Sequence, residues 1–172
     1  MSIHGALVEV HGVGVLLQGP SGVGKSECAL ELVSRGHRLI ADDVVDLWVD
    51  AEGRPRGAAP ERIRHYMEIR GLGIVHIPEL FGEEGVAEEV GVELICQLEP
   101  WRDGVDFERV GIERETVPVL GVELPRVRLP ARPGASMATI VEVAAREHLR
   151  RSEGFNAARR LDDRLRREMS RT

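Results

Sequence analysis

Eight consecutive residues, Gly19-Pro20-Ser21-Gly22-Val23-Gly24-Lys25-Ser26, have the types and spacing that hold phosphate. Glycines let backbone N–H groups turn inward around anionic oxygens, and a helix opening at the end of such a run adds partial positive charge. Lys25 can neutralise the outer phosphates, and the Ser26 hydroxyl can ligate Mg²⁺. The pattern is moderately specific alone and much more so between an apolar strand and a helix. A plain glycine-rich strand-to-helix turn is the competing reading.

Phosphoryl transfer is mostly positioning and charge stabilisation, so a phosphate loop still needs a carboxylate for metal and, for an alcohol acceptor, a base. Asp42 and Asp43 are the first candidates. If the strand after the helix runs alongside the strand before the loop, its C-terminal end lies beside the phosphates. Adjacent strand residues point to opposite faces, which predicts that only one of the two aspartates faces the phosphates directly. The alternative is that they cap a turn before Val44. Glu68 and Arg70 lie two apart in an extended stretch and would share a face, a carboxylate and a guanidinium suited to Mg²⁺ and phosphate, or else a surface ion pair. His4, Arg109 and the run Arg126, Arg128, Arg132 carry less weight from residue type alone.

The elements that must position these groups are readable around them. Leu7 to Val10 and Val13 to Leu17 read as strands joined by a tight turn at His11-Gly12, the second apolar enough to be central. From Ser26 to Arg35, Cys28, Ala29, Leu32 and Val33 recur at helical spacing, with Gly36 placed to end the helix. His37 to Ala41 runs as a strand into the aspartates, and Val44 to Val49 is a further apolar run closed by Asp50-Ala51-Glu52-Gly53. The glycine-rich middle, Gly57 to Gly91, reads as a shaped functional loop with a strand-like Ile74 to Ile77. Val90 to Leu98 and Val117 to Leu129 read as strands, the latter interrupted by Pro118 and Pro125 and therefore nearer an edge. Ser136 to Arg150 reads as a helix. Beyond Gly154, Phe155, Ala158, Leu161, Leu165 and Met169 form one apolar stripe on another. The fold class expected is α/β, a mixed central sheet containing the phosphate loop, with C-terminal helices.

A chain of 172 residues predicts one domain, residues 1–172. No stretch approaches the ~20 apolar residues of a membrane span. Met1 to Gly5 lacks the basic head and apolar core of a signal peptide, which predicts a cytoplasmic location. Cys28 and Cys96 have no pairing that suggests zinc and read as small core residues. The net charge of −6 argues against a dedicated nucleic-acid binder.

Several segments together resemble a known family: Ile3-His4-Gly5, GPSGVGKSE at 19–27, GHRLIADDVV at 36–45, Ala58-Ala59-Pro60, EIRGLGI at 68–74, and Ile140 to Ala145. In this order they are similar to the catalytic C-terminal domain of the bacterial HPr kinase/phosphorylases, over nearly the whole chain. The resemblance implies an HPr kinase/PEP-carboxykinase-like fold and a hexameric assembly. It also implies Mg²⁺-dependent phosphorylation of a serine on the phosphocarrier HPr from ATP or pyrophosphate, with reversal by inorganic phosphate to give pyrophosphate. By resemblance His4 is an active-site histidine, Lys25 the catalytic lysine, and Ser26 and Glu68 magnesium ligands. Asp43 is then the residue that accepts the serine proton and returns it, and Arg109 an active-site arginine. Met67 to His76 matches a stretch important for both directions.

Two departures accompany the match. The family usually carries a separate N-terminal domain that this sequence does not contain, and catalysis is expected to survive without it. Where the family tends to read Gly-Arg-Asn, this chain reads Gly134-Ala135-Ser136, overlapping a segment, Pro130 to Ala135, that corresponds to one tied to dephosphorylation. A different class, a non-catalytic nucleotide- or phosphate-sensing module, would share the loop but transfer no phosphate.

Overall fold

The computed structural model describes residues 1–104 and 106–171. Its backbone is organised by alternation in one hairpin, strands β2 (Ala6–Val10) and β3 (Val13–Gln18), which pair antiparallel. Ala6, Val8, Val10, Val13, Val15 and Leu17 enter one apolar cluster, while Leu7 and Leu16 enter another on the opposite face. The connecting residues His11 and Gly12 both have positive φ, 51° and 81°, the backbone twist a two-residue hairpin favours.

Helix α1 (Lys25–Ser34) buries the four residues its periodicity singled out, Cys28, Ala29, Leu32 and Val33. It stops at Gly36, φ 96°, whose N–H reaches Val33 O while that of His37 reaches Leu32 O. These paired bonds satisfy the last carbonyls, and only glycine adopts that φ without strain. Both cysteines are free and buried in the same cluster, where burial pushes the Cys28 thiol up to about 12.

Strand β4 (Arg38–Ala41) departs from the expected pairing. It bonds to β2, not β3, so the hairpin's first strand fills the slot between them. Because β4 and β3 are both antiparallel to β2, they still run the same way and their C-terminal ends open on one edge. Three more strands precede or follow it: β1 (Ser2–His4), β5 (Val44–Val49) and β6 (Pro55–Ala58), with β5 between the other two. A separate hairpin, β7 (Tyr66–Ile69) and β8 (Gly73–His76), leads into the short helix α2 (Ile77–Phe81). The long β9 (Glu89–Pro100) ties the sheet together, pairing parallel with β3 and antiparallel with β6.

The stretch from Val117 to Leu129 is two strands, not one. β10 (Glu115–Val119) turns through Leu120 and Gly121, both at positive φ, into β11 (Val122–Ala131), which pairs parallel with β9. Pro118 is tolerated because β10 is an edge, bonded only to β11 among the described strands, and Pro125 because β11 begins its ladder with β9 at Arg126, one residue later. The sheet is therefore mixed, as expected.

Helix α3 (Met137–Ser152) is capped by Ser136, whose Oγ accepts from Thr139 N, and buries Ala138, Val141 and Ala145 beside α1. Helix α4 (Ala157–Met169) buries none of its residues, so the apolar stripe of Leu161, Leu165 and Met169 stands exposed. Among the described residues no helix is long and apolar enough to cross a membrane.

Candidate functional site

The C-terminal ends of β3 and β4 face a cleft of about 780 Å³ that the phosphate loop borders. Two glycines make the loop possible. A Cβ at Gly19, φ 148°, would meet the carbonyl oxygen of Leu98 at 2.5 Å, and Gly24 stands at φ 106° immediately before α1. The α1 N-terminus thus opens on the cleft with no side chain capping it, leaving its first N–H groups and partial positive charge available to an anion. Lys25 Nζ donates to Gly19 O at 2.7 Å and Pro20 O at 3.1 Å, which holds the ammonium at the mouth of the loop.

Asp42 and Asp43 both line this cleft, in different ways. Asp42 is buried and accepts from Ser26 Oγ with both oxygens, at 2.9 and 3.1 Å. Burial raises its carboxyl above the ordinary value, and the bonds from Ser26 and from the Asp43 backbone oppose that rise. Asp43 has left strand geometry: at φ 68° it is the centre of a three-residue turn closed by Val44 N and Asp42 O, 2.8 Å apart. The expected opposite-face arrangement fails for this reason, since alternation requires extended backbone. A non-glycine residue at such a φ costs on the order of 1 kcal/mol or more, aspartate less than most. Gly5 N, donating to Asp43 O at 3.1 Å, helps hold the turn. The Asp43 carboxylate is largely exposed, with His4 Nδ1 3.8 Å away.

The β7–β8 hairpin closes the other side of the cleft with Glu68 and Arg70. Arg70 belongs to the turn of that hairpin, where Leu72 N reaches Ile69 O, and not to an extended run with Glu68. Both nonetheless line the same wall. The oxygen donors present, the Ser26 hydroxyl and the Asp42 and Glu68 carboxylates, are the hard ligands Mg²⁺ takes. A cation there would also offset the cost of ionising buried Asp42.

Arg109 is not brought to this cleft. Its loop is drawn toward the end of α3, where Arg151 donates to Gly111 O and Ile112 O, and Asn156 Nδ2 to Ile112 O at 2.6 Å. Arg109 lines a second cleft with Arg126 and Arg128, which are themselves paired with Glu115 and Glu99. Arg132 lies over the Trp101 ring at 4.6 Å.

Residue types alone missed Glu27, in the first turn of α1, and Ile63 and Tyr66, all of which line the phosphate cleft. Glu27 follows the lysine-serine pair directly and so was within reach of the loop argument. Ile63 and Tyr66 gave no signal, because a turn and a four-residue strand carry too little periodicity to show which way a side chain faces.

Fold and cleft together define a phosphate-loop α/β domain whose loop sits at the C-terminal ends of strands. Residues 1–165 match the family model described as the HPr serine kinase C-terminal domain, and the chain belongs to that family. It is 48% identical over 165 residues to the HPr kinase/phosphorylase of Caldanaerobacter subterraneus subsp. tengcongensis, covering 96% of this chain and 54% of that protein. It is 49% identical over 168 residues to that of Caldicellulosiruptor bescii, covering 98% and 54%. The chain thus spans about half the length of the curated relatives it matches. Among solved structures, the HPr(Ser) kinase/phosphatase from Coxiella burnetii superposes with a TM-score of 0.83 at 29% identity, over 94% of this chain and 98% of that one.

Proposed function

We propose that residues 1–172 form one catalytic domain that transfers a phosphoryl group from ATP or pyrophosphate to a serine of an HPr-type phosphocarrier protein. Attack by inorganic phosphate on the phosphoserine, releasing pyrophosphate, is the reverse reaction. The observation that carries the reading is the convergence of Lys25, Ser26, Asp42, Asp43, Glu68 and His4 on one open cleft at the phosphate loop. An anion-binding loop alone would serve a sensor. A strained, exposed carboxylate beside that loop is what transfer to an alcohol needs.

Lys25 swings from the loop carbonyls onto the outer phosphates, where its charge counts in the transition state. Mg²⁺, when bound, neutralises phosphate charge and orients the donor, and Ser26, Asp42 and Glu68 are the groups that would hold it. Asp43 accepts the serine proton as the hydroxyl attacks, and in reverse returns it to the departing serine oxygen. His4, its Nδ1 3.8 Å from that carboxylate, lines the same cleft beside it. Arg70 faces the transferring phosphoryl group from the hairpin wall. Assembly into a hexamer, with α4 able to join an interface, and a cytoplasmic location complete the reading.

The deciding experiment incubates the chain with its organism's own carrier protein, ATP and Mg²⁺, and locates phosphate by mass spectrometry. Phosphoserine on the carrier is expected, and nucleotide binding without transfer would establish a sensor instead. A finer test addresses the Gly134-Ala135-Ser136 sequence. Within one copy Ser136 is bonded to Arg35 and Glu31 at the far end of α1, so this segment bears on phosphorolysis where the assembly brings it to a neighbouring copy's cleft. Alanine and serine bring no positive charge to meet an attacking phosphate there, and the kinase direction should dominate. The double variant Ala135→Arg, Ser136→Asn is expected to release pyrophosphate from phosphoserine-carrier faster than the parent, at matched phosphate concentrations. Equal rates in the two forms would refute the bias.

A further inference from the structure

At the other end of α1, far along the sheet from the phosphate loop, two histidines and a carboxylate meet. His11 stands in the β2–β3 turn, His37 enters β4 just after α1, and Glu142 projects from α3. Each offers one ligand atom, and these three atoms lie within 4.8 Å of one another. The His11 and His37 rings meet edge to face with centroids 4.8 Å apart, and His37 Nε2 lies 3.0 Å from Glu142 Oε2.

We propose that His11, His37 and Glu142 form a binding site for a borderline transition-metal dication, Zn²⁺ or Co²⁺, that clamps the β2–β3 turn and the start of β4 to α3. Two imidazoles and one carboxylate, with water in the fourth position, are a donor set such ions take in tetrahedral geometry. The carboxylate is already oriented from outside: Arg35 holds Glu142 Oε1, which leaves Oε2 turned toward the histidines. His11 is kept below its ordinary pKa, chiefly by burial, with Arg146 and His37 adding to it and Glu142 opposing it. Glu142 is kept below the usual range chiefly by its bond with His37. On binding, the ion replaces the proton shared by His37 Nε2 and Glu142 Oε2, which His37 carries on Nδ1 instead. It also displaces the Arg146 N–H that donates to His11 Nε2 at 3.1 Å.

The alternative is a network of hydrogen bonds with no ion, and the part played by His11 separates the two. A pure network bonds His37 to Glu142 and uses exposed His11 as an acceptor for Arg146 alone, so removing His11 should cost it little. A metal site needs all three.

The test titrates the full chain with Co²⁺ and with Zn²⁺ in the presence of saturating Mg²⁺, following cobalt absorption and calorimetric stoichiometry. One equivalent with a tetrahedral cobalt spectrum is expected, displaced by Zn²⁺. Zn²⁺ at a hundredfold excess over Kd should raise Tm by about 5–10 °C. His11→Ala, a change in an exposed turn, should weaken binding at least ~10-fold and abolish the tetrahedral spectrum, and Lys25→Ala should change neither. Should Glu142→Ala or His37→Ala fail to fold, His11→Ala and His11→Asn still decide the matter. No cobalt spectrum in the parent chain, or binding of equal strength in His11→Ala, overturns the site.

Discussion

The two ends of α1 use charge in opposite ways. At its N-terminus, among the described residues, the Lys25 ammonium meets loop carbonyls and the Asp43 carboxylate meets His4 at 3.8 Å, while Glu68 and Arg70 face an open cleft. At its C-terminus the groups are bonded to one another: Arg35 reaches Glu31, Ser136, Thr139 and Glu142, and Glu142 also meets His37. Apart from the bond between Ser26 and Asp42, the first end turns its polar groups to the cleft, and it stores backbone strain at Asp43. The second spends them on joining α1 to α3. Substitutions at the first end should therefore cost rate and not stability, and those that cut the bonds of the second should cost stability and not the kinase rate.

The sharpest challenge to that division is Lys25→Ala. Loss of the ammonium should abolish phosphoryl transfer in both directions and leave Tm within the scatter of surface substitutions. Normal folding with unchanged transfer would remove the phosphate-loop assignment. Asp43→Asn comes next. Removing a general base costs on the order of 10²–10⁴ in rate, and a carboxamide cannot return a proton to a departing serine oxygen, so both directions fall together while nucleotide affinity holds. If Asp42→Asn were crippling and Asp43→Asn mild, the buried carboxylate that holds Ser26 would be the base and the exposed one a turn residue.

How much of this was legible in the sequence differs between the same two ends. The phosphate loop could be read because glycine, lysine and serine at fixed offsets have one dominant physical use, and the strand before it and the helix after it both announced themselves by period. The fold class, the mixed sheet and the glycine stop of α1 followed from the same signals. The insertion of β2 between β3 and β4 could not be read, since a strand's neighbours depend on pairings distant in sequence that period does not encode. The γ-type turn at Asp43 was hidden because a single residue at positive φ leaves no periodic mark, and the bond from Gly5 that helps hold it comes from a residue distant in sequence. The C-terminal network joins Arg35 to Glu142 and Ser136, residues about a hundred apart in sequence, and nothing local marks them as partners.

At the bonded end, Glu142→Ala leaves Arg35 and His37 without their shared acceptor. The expected loss is about 1–3 kcal/mol, read as a fall in Tm of about 2–12 °C, with transfer per folded molecule unchanged. The difference should depend on pH in one direction. Glu142 is held below its ordinary value of 4.5, first by His37 and then by Arg35. Its stabilisation is therefore complete above that value and lost as pH falls through the lowered one, so parent and variant should converge in acid. A gap that widened in acid would mean that Glu142 is not stabilised as the carboxylate.

Ser136 separates the cap from the network and should give the smallest effect. Its Oγ accepts from Thr139 N and from Arg35, and donates to Glu31 Oε1 at 3.0 Å, so it serves α3 as an N-cap and α1 as a tie. Ser136→Ala loses both roles, and a lost cap typically costs about 1 kcal/mol, a shift of about 2–4 °C in a chain of this size. Asparagine is as good a cap as serine, but with its oxygen on Thr139 N its donor is a separate nitrogen, displaced from the point where the single hydroxyl oxygen meets both Thr139 N and Glu31. Ser136→Asn should therefore recover most, not all, of the loss, and the shortfall measures the tie to α1 alone. Full recovery would mean that the tie contributes nothing and that capping accounts for Ser136. No loss in Ser136→Ala would show that the bonded end is held by Glu142 without it.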